Sequence, residues 1–333
     1  MAKRPTIYDV AERAGVSKSL VSLVLQNSPR VSDDKREAVL EAVRALGYTP
    51  SRLAAGLAGA RTRSVGVVID EFENLWFAPA LAGLRAALAA DRTSVSVADA
   101  ALNSHLGLDP LEAFRALRVD GIVLAGEASP ESLARVGVPL VVLGTRAVAA
   151  PGVPVVASDE IAGGRVATGH LASLGHRHIV CVSAPGASAA AREAGYVAEM
   201  RERGLPVSIV RAAHTSEAAA GAAAAEVLGG VAARASAVPT AVFAVNDPMA
   251  VGVIGAASER GLRVPRDLSV VGYDDSPLAA YSLVSLTSVS GDPRELGEAA
   301  GRELLARLAG EDAGRGALLP PRLVVRSSTA PPG

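Results

Sequence analysis

Several features are scarce or absent in this 333-residue sequence, and each absence narrows its function. The single cysteine, Cys181, cannot form an internal disulfide and fits a reducing compartment. No apolar run approaches the roughly 20 residues of a membrane-spanning helix. The opening residues, MAKRP, lack the apolar stretch of a secretory signal. We therefore expect a cytoplasmic protein without a membrane partner.

The motifs of cofactor and catalytic sites are also missing. The sequence has no G-x-G-x-x-G after a strand, no G-x-x-x-x-G-K-[ST] and no assignable Ser/His/Asp set. His170, His176 and His178 lie close together, but no cysteine or carboxylate is spaced to complete a metal site with them. The sequence thus predicts no enzyme, no cofactor and no metal.

Charge is distributed unevenly along the chain. Residues 1–63 hold 11 Lys and Arg against 6 Asp and Glu, whereas the remaining residues hold 22 against 28. The head is therefore basic and the body acidic, which favours a polyanionic partner for the head alone. The length exceeds the roughly 100–200 residues of one domain, so two or three units are expected.

The first 49 residues predict three short helices. Thr6 begins the first with Asp9 three residues later, as in a capping box, and Gly15 ends it. Ser17 caps the second helix and Ser32 caps the third. Two helices joined at a tight glycine turn and braced by a third are typical of a helix-turn-helix unit. A three-helix protein-interaction module would show the same pattern.

After residue 63, short β-rich runs alternate with helical stretches. One series reads SVGVVI (64–69), SVSVA (94–98), GIVLA (121–125), PLVVL (139–143) and VPVVA (153–157). A second reads HIVCVSA, VSIVR, AVFAV and LSVVGY. The alternation predicts an α/β body of two doubly wound, parallel-sheet subdomains. A ligand then belongs at the carboxyl ends of the strands, in the cleft between the subdomains.

Three segments in order resemble the lactose-repressor (LacI/GalR) family of transcription regulators: TIYDVAERAGVSKSLVSLVL, PRVSDDKREAVLEAVRALGYTP and SRLAAGLAG. The resemblance extends over essentially the whole chain. It implies a helix-turn-helix DNA-binding domain at 1–49, a hinge helix and linker at 50–63, and a sensor and dimerisation domain at 64–333. The sensor is expected to have the periplasmic-binding-protein type I fold, with subdomains at about 64–160 and 161–290 and C-terminal crossovers.

The resemblance assigns DNA contacts to the head. It implies base reading by Lys18, Ser19 and Leu23. It implies phosphate contacts by Tyr8, Ser17, Ser22, Gln26, Arg30 and Ser32. Family members usually carry Arg at the Leu23 position and Thr at the Leu20 position. Leucine offers only apolar contact, for instance to a thymine methyl, so the operator should differ from the common family site. Alternatively, Leu23 packs against a neighbouring helix.

The hinge segment SRLAAGLAG is too short to form a stable helix alone in water. In the family, this segment folds on DNA beside the same helix of a dimer partner. Leu57 matches the residue that enters the minor groove and kinks the duplex, with Leu53 and Arg52 beside it. The alternative is a plain flexible linker.

Candidate effector contacts follow the ends of predicted strands: Asn74, Trp76, Phe77, Arg192, Asn246 and Asp274. Arg192 matches the family's ligand-clamping arginine and offers a rigid fork of donors. Trp76 offers a face for stacking on a sugar ring, or simply packs in the core. Asp247 either joins the site or caps the next helix. Gly144 and Gly291 stand where family members often carry an acidic residue and Gln, which leaves the ligand's identity open.

Together these features predict a homodimeric transcription regulator that binds a near-palindromic double-stranded DNA operator. The expected action is repression, controlled by a small polar effector in the cleft, a sugar or related metabolite. The alternatives are an activator or corepressor-dependent regulator of the same family, and a stand-alone sugar-binding protein. The last would need a signal peptide and no basic head. The tail LVVRSSTAPPG has no leucine heptads, so no C-terminal coiled coil is expected.

Overall fold

The structure is a computed structural model that describes residues 5–25, 28–48, 62–126, 128–146, 152–229, 239–311 and 316–333. The chain divides into two units, Met1–Thr62 and Arg63–Gly333. Each unit has its own hydrophobic core among the described residues.

The described part of the first unit contains three helices: α1 (Ile7–Ala14), α2 (Lys18–Leu25) and α3 (Asp33–Leu46). The predicted capping box is confirmed, because the Thr6 side chain accepts from Asp9 N and the Thr6 N–H donates to Asp9 Oδ2 at 2.6 Å. Gly15 ends α1 with φ 64°, a conformation that favours glycine. Ser32 precedes α3 in extended conformation, but the prediction that its side chain caps the helix is wrong, since it makes no capping hydrogen bond.

A small valine-rich core holds these three helices together. Val10, Val21 and Val39 are fully buried, and Val24 is nearly so. Helices α1 and α2 have 8 residues each, which is marginal for an isolated helix. Burying each valine contributes about 1.5–3 kcal/mol, so tertiary packing rather than helix propensity stabilises the unit.

The second unit contains two six-stranded sheets. Their strands are β1 (Ser64–Ile69), β2 (Ser94–Asp99), β3 (Gly121–Ala125), β4 (Leu140–Leu143), β5 (Val155–Ser158), β6 (Ile179–Ser183), β7 (Ser208–Arg211), β8 (Ala241–Ala244), β9 (Ser269–Tyr273), β10 (Thr287–Ser290), β11 (Gly316–Leu319) and β12 (Arg322–Val324). The strand orders are β11-β5-β4-β3-β1-β2 and β12-β10-β9-β8-β6-β7. Of the described strand pairs, only β10 with β12 is antiparallel. The predicted α/β class is therefore confirmed.

Helices cover both sheets. They are α4 (Phe77–Leu88), α5 (Ala100–His105), α6 (Pro110–Ala116), α7 (Pro130–Ala134), α8 (Glu160–Ser173), α9 (Ala187–Glu202), α10 (Glu217–Gly229), α11 (Asp247–Ser258) and α12 (Pro293–Ala309). The pairs α4/α12, α8/α9 and α10/α11 pack side by side. No helix in the described residues is both long and apolar enough to span a membrane.

The chain passes between the two sheets after β5, after β10 and after β11. Helix α12 therefore follows a strand of the second sheet but packs against α4 of the first. The close fit requires glycine, because a Cβ on Gly297 would lie 1.9 Å from the carbonyl oxygen of Ala80. These crossovers set the carboxyl ends of strands from both sheets around one cavity.

Candidate functional site

The predicted base-reading residues lie on the outward face of α2. Lys18, Ser19 and Leu23 are exposed, whereas Val21 and Val24 of the same helix are buried. Leu23 is 37% exposed and lies outside the hydrophobic core of the first unit, which favours surface contact over packing. The Lys18 ammonium lies 5.1 Å from the centroid of the Tyr8 ring, a distance at which cation–π attraction operates.

Most of the residues predicted to contact phosphates lie within the described part of the chain. Tyr8, Arg30 and Ser32 are exposed, as is Ser17, whose Oγ accepts from Leu20 N at 3.2 Å and so caps α2 as predicted. Ser22 is half-buried. Gln26, Arg52, Leu53 and Leu57 lie outside the described residues. The DNA roles of all these residues stay predictions.

A cavity of about 490 Å³ opens in the second unit at the carboxyl ends of strands from both sheets. Asp70 follows β1 and Glu160 follows β5 of one sheet, while Asn246 follows β8 and Asp274 follows β9 of the other. Ligands of doubly wound folds bind in this kind of crevice. The volume lies in the range of small-molecule sites.

The guanidinium of Arg192 is the best-anchored charge of this cavity. It lies on α9 and is buried, with its carbon 3.8 Å from the centroid of the Tyr273 ring. Its Nε donates to Glu160 Oε2 at 2.5 Å, and its Nη2 pairs with Asp274 Oδ1 at 2.9 Å. Nη1 donates to the carbonyl oxygen of Val245 at 2.7 Å. These contacts fix the orientation of the guanidinium before any ligand arrives.

Burial shifts the ionisation of two carboxyls near Arg192. It raises the pKa of Asp274 to about 7, against the opposing attraction of Arg192. It also raises the pKa of Asp247 to about 6, although Asp247 accepts from Ser276 N at 2.7 Å and from Ser288 Oγ at 2.6 Å. Asp274 has φ 98°, a strained conformation for a residue with a side chain. Perturbed pKa values and strain of this kind concentrate at functional sites.

A second ion pair lies on the other side of the cavity. Arg146, just after β4, donates from Nη1 to Asp70 Oδ2 at 2.9 Å, and its guanidinium carbon lies 5.8 Å from the Phe77 ring centroid. Gly144, where the family often has an acidic residue, has φ 84°, and a Cβ there would lie 3.4 Å from Arg146 Nη2. Sequence reasoning missed Arg146, Asp70 and Glu160. Arg146 and Asp70 lie 76 positions apart in the sequence, and Arg192 and Glu160 lie 32 positions apart. No local motif reveals pairs at such separations.

Five of the six predicted effector residues line the cavity: Asn74, Trp76, Arg192, Asn246 and Asp274. Phe77 does not. It lies in the core, with its ring edge-on to Trp76 at 5.2 Å between centroids, because the first turn of α4 directs it toward the sheet rather than the opening. Phe77 therefore supports Trp76 instead of facing a ligand.

The suggestion that Asp247 caps α11 is wrong. Asn246 is the N-cap, with Oδ1 accepting from Met249 N at 2.9 Å, while its Nδ2 donates to the Thr215 carbonyl oxygen at 3.0 Å. Asp247 is fully buried and anchors the loop after β9 through Ser276.

Two of the three histidines considered for a metal site, His170 and His176, have other partners. His176 contacts Thr240 Oγ1 and the Ala330 carbonyl oxygen, both at 2.9 Å, and His170 contacts Thr329 Oγ1 at 3.0 Å. In the part of the chain that the structure describes, no group of three or more His, Cys, Asp or Glu is placed to hold a metal ion.

Known protein families match both units. Residues 6–51 match the family described as bacterial regulatory proteins, lacI family, and residues 168–329 match the periplasmic binding protein-like domain. The chain is 31% identical to the HTH-type transcriptional regulator DegA of Bacillus subtilis, over 98% of this chain and 99% of that protein. It is 33% identical to catabolite control protein A of Priestia megaterium, over 97% and 99% respectively.

The solved structures that the chain resembles include transcription regulators as well. The lac repressor dimer bound to operator and the anti-inducer ONPF is similar with a TM-score of 0.82 and 28% identity, covering 98% of this chain and 100% of that one. A complex of the transcriptional regulator CelR with cellobiose is similar with a TM-score of 0.69 and 30% identity, over 98% and 100%. The helix-turn-helix sequence, the two-sheet body and these relatives together show that the chain belongs to the LacI family of DNA-binding transcription regulators.

Proposed function

We propose that this protein is a repressor whose operator affinity is set by a small polar effector bound in the cavity beside Arg192. The observation that carries the proposal is the cavity itself. Groups from both sheets converge there on a buried, preoriented arginine, so a ligand touching both sides would favour one arrangement of the two sheets over another. Only a ligand with different affinity for two states can shift their populations.

The relatives support this mechanism. The lac repressor neighbour was solved with operator DNA and an anti-inducer, and the CelR neighbour with cellobiose. A further relative, 32% identical over 97% of this chain, is the HTH-type transcriptional repressor PurR of Photorhabdus laumondii. The effector proposed here is accordingly a sugar or a related metabolite, and the cavity serves recognition rather than catalysis.

DNA recognition is proposed to require two copies of the chain. Lys18, Ser19 and Leu23 would read bases in the major groove, while the exposed residues around them hold phosphates. A homodimer places two such helices on two half-sites, which makes the operator near-palindromic. Leu57 would enter the minor groove between the half-sites, and the effector would act by changing how the two hinge segments meet.

Selection of bound duplexes from a random DNA pool tests this proposal, using the purified full-length protein without ligand. We expect enrichment of a near-palindrome with a flexible pyrimidine–purine step at its centre. Enrichment only after addition of a metabolite mixture would indicate a corepressor and overturn effector-released repression. Failure to enrich any sequence under either condition would overturn specific DNA recognition by this chain.

A further inference from the structure

The charges that line the cavity are unequal in number. Among the described residues of its wall there are four carboxylates and two guanidinium groups: Asp70, Glu71, Glu160 and Asp274, against Arg146 and Arg192. With every group ionised, the wall carries two negative charges in excess. With Asp274 protonated, one negative charge remains in excess. The sum of the formal side-chain charges is therefore negative in both states.

Both guanidinium groups are already paired with carboxylates. Arg146 lies 2.9 Å from Asp70, and Arg192 lies 2.5 Å from Glu160 and 2.9 Å from Asp274. The side chains of Arg192, Glu160 and Asp274 are at most 9% exposed, so solvent screens their charges weakly. An anionic ligand would have to compete with carboxylates that the fold holds in place.

Glu71, which lines the cavity, lies near other carboxylates. Burial raises the pKa of Glu71, and repulsion from Glu73, Asp70 and Asp99 raises it further, while His214 acts in the opposite direction. Glu71 itself is exposed and lies in the loop after β1. This part of the cavity wall is therefore rich in carboxylates.

The hydrogen-bonding groups of the wall also favour donors on the ligand. Ionised carboxylates only accept, so they need hydroxyl or ammonium groups opposite them. Arg146 Nε is buried without a hydrogen-bond partner among the described residues, so this lining guanidinium keeps an unused donor. A hydroxyl group can accept from Arg146 and donate to a carboxylate at once. A ligand carboxylate or phosphate dianion cannot donate at all.

We propose that the cavity selects a neutral or cationic polyhydroxyl compound and rejects its phosphorylated or carboxylated derivatives. This inference rests on the proposed function only in taking the cavity as the effector site. The indole of Trp76, which lines the same wall, suits both members of the accepted class. It packs on the C–H face of a ring, and it attracts a cation over its own face.

The charge of the cavity can be measured without knowing the effector. Trp76 is the one tryptophan of the chain, so its fluorescence reports on the cavity wall alone. We would quench it with Cs⁺ and with I⁻ in the full-length protein, and normalise each constant to that of free N-acetyltryptophanamide. The normalised quenching constant for Cs⁺ should be at least about three times that for I⁻, since a negative local potential concentrates cations. A ratio of one or below would overturn the proposal.

A pair of matched variants shows whether the lining carboxylates cause the effect. Glu71→Gln removes one lining carboxylate and should lower the ratio toward one. Glu259→Gln removes one charge at the far end of α11, about 20 Å along that helix from Asn246, beyond the screening length of about 8 Å. Glu259 is 80% exposed, and its removal should leave the ratio unchanged. Equal effects of the two variants would contradict a local origin.

Ligand binding supplies an independent test with a separate readout. Glucose, glucosamine, glucose 6-phosphate and gluconate, and then ribose with ribose 5-phosphate, would be titrated against Trp76 fluorescence and against operator binding. Any anionic member should bind at least about tenfold more weakly than its neutral parent, a difference of about 1.4 kcal/mol. Preference for an anionic member would overturn the charge proposal but leave the regulator intact. A different result would overturn the proposed function instead: the cavity is cation-selective, but no compound in the series changes operator binding.

Discussion

Arg192 and Glu160 join α9 to the first turn of α8 through one hydrogen bond of 2.5 Å at the cavity wall. Glu160 lies at the amino-terminal end of its helix, where the helix dipole favours a negative charge. Both side chains are buried, so removal of either leaves the other charge without its partner at a place that solvent screens weakly. The pair therefore links the stability of the second unit to the integrity of the site.

Replacement of Arg192 by Ala should destabilise the second unit by about 3–5 kcal/mol, because it leaves buried carboxylates unpaired. The matched control is Arg203→Ala, at the end of the same helix. Arg203 pairs with Glu199 at 2.7 Å but is 41% exposed, so its loss should cost less than about 1 kcal/mol. Urea unfolding followed by Trp76 fluorescence measures both. Similar losses for the two variants would contradict the structural role of Arg192.

Asp274 should make the unfolding free energy fall as the pH rises. Burial raises its pKa to about 7, above the 3.8 of an unperturbed Asp, so the folded state binds this proton more tightly than the unfolded state. The stabilising contribution is complete below about pH 4 and is lost as the pH rises through about 7. Between about pH 5 and pH 7, the free energy of unfolding of the wild type should fall by about 2 kcal/mol from this source, and Asp274→Asn should abolish that fall.

Asp267→Asn is the control for this pH dependence. Hydrogen bonding to Arg263 lowers the pKa of Asp267 to about 2, so its contribution is present above about pH 4 and is lost only in acid. Urea unfolding at several pH values should show the wild-type slope between about pH 5 and pH 7 in Asp267→Asn. An unchanged slope in Asp274→Asn would refute the assignment.

Gly163 on α8 should not tolerate a side chain. A Cβ there would lie 2.0 Å from the Tyr273 hydroxyl oxygen, and the Tyr273 ring is buried against Arg192. Gly163→Ala should therefore destabilise the unit by about 1–3 kcal/mol through overpacking. Gly255→Ala in α11 meets nothing within 4 Å and should be neutral or stabilising by up to about 1 kcal/mol. Thermal unfolding compares the two, and the opposite order would contradict the packing described here.

Two substitutions in the first unit should separate phosphate contact from base reading. Arg30→Ala should lower the slope of log affinity against log salt by about 1 and weaken binding to all sequences alike. Leu23→Ala should leave that slope unchanged but alter the preferred base in each half-site. Fluorescence anisotropy on the selected operator and on point variants of it measures both effects. A salt slope near zero in the wild type would refute the phosphate contacts.

The sequence was sufficient to predict most of the fold. Nine strands appear within about two residues of their predicted positions. Most of them are parallel strands buried on both faces, which read as short runs of valine and isoleucine, whereas the edge strands β2 and β7 are only partly buried. Strands β10, β11 and β12 were not predicted as strands. TSVS is polar, and GALL and RLV are too short to stand out from the loops around them.

The site was predicted less completely than the fold. Arg192 was identified through the family resemblance and Asp274 through its position after a strand, but Arg146 and Asp70 were not identified. Arg146 acquires its role only when the loop after β4 reaches Asp70 at the end of β1, which depends on strand order. Glu160 was missed because an acidic residue in the first turn of a helix has an adequate explanation in the helix dipole alone.

The most direct test of the account measures both sites in one sample. Operator DNA carrying a fluorophore that does not overlap tryptophan emission is mixed with the full-length protein, and candidate effectors are titrated in. Trp76 emission reports occupancy of the cavity, and anisotropy of the DNA reports operator binding. We predict that a compound that changes Trp76 emission also releases the operator over the same concentration range. A compound that saturates the cavity while the operator affinity stays constant would contradict the account.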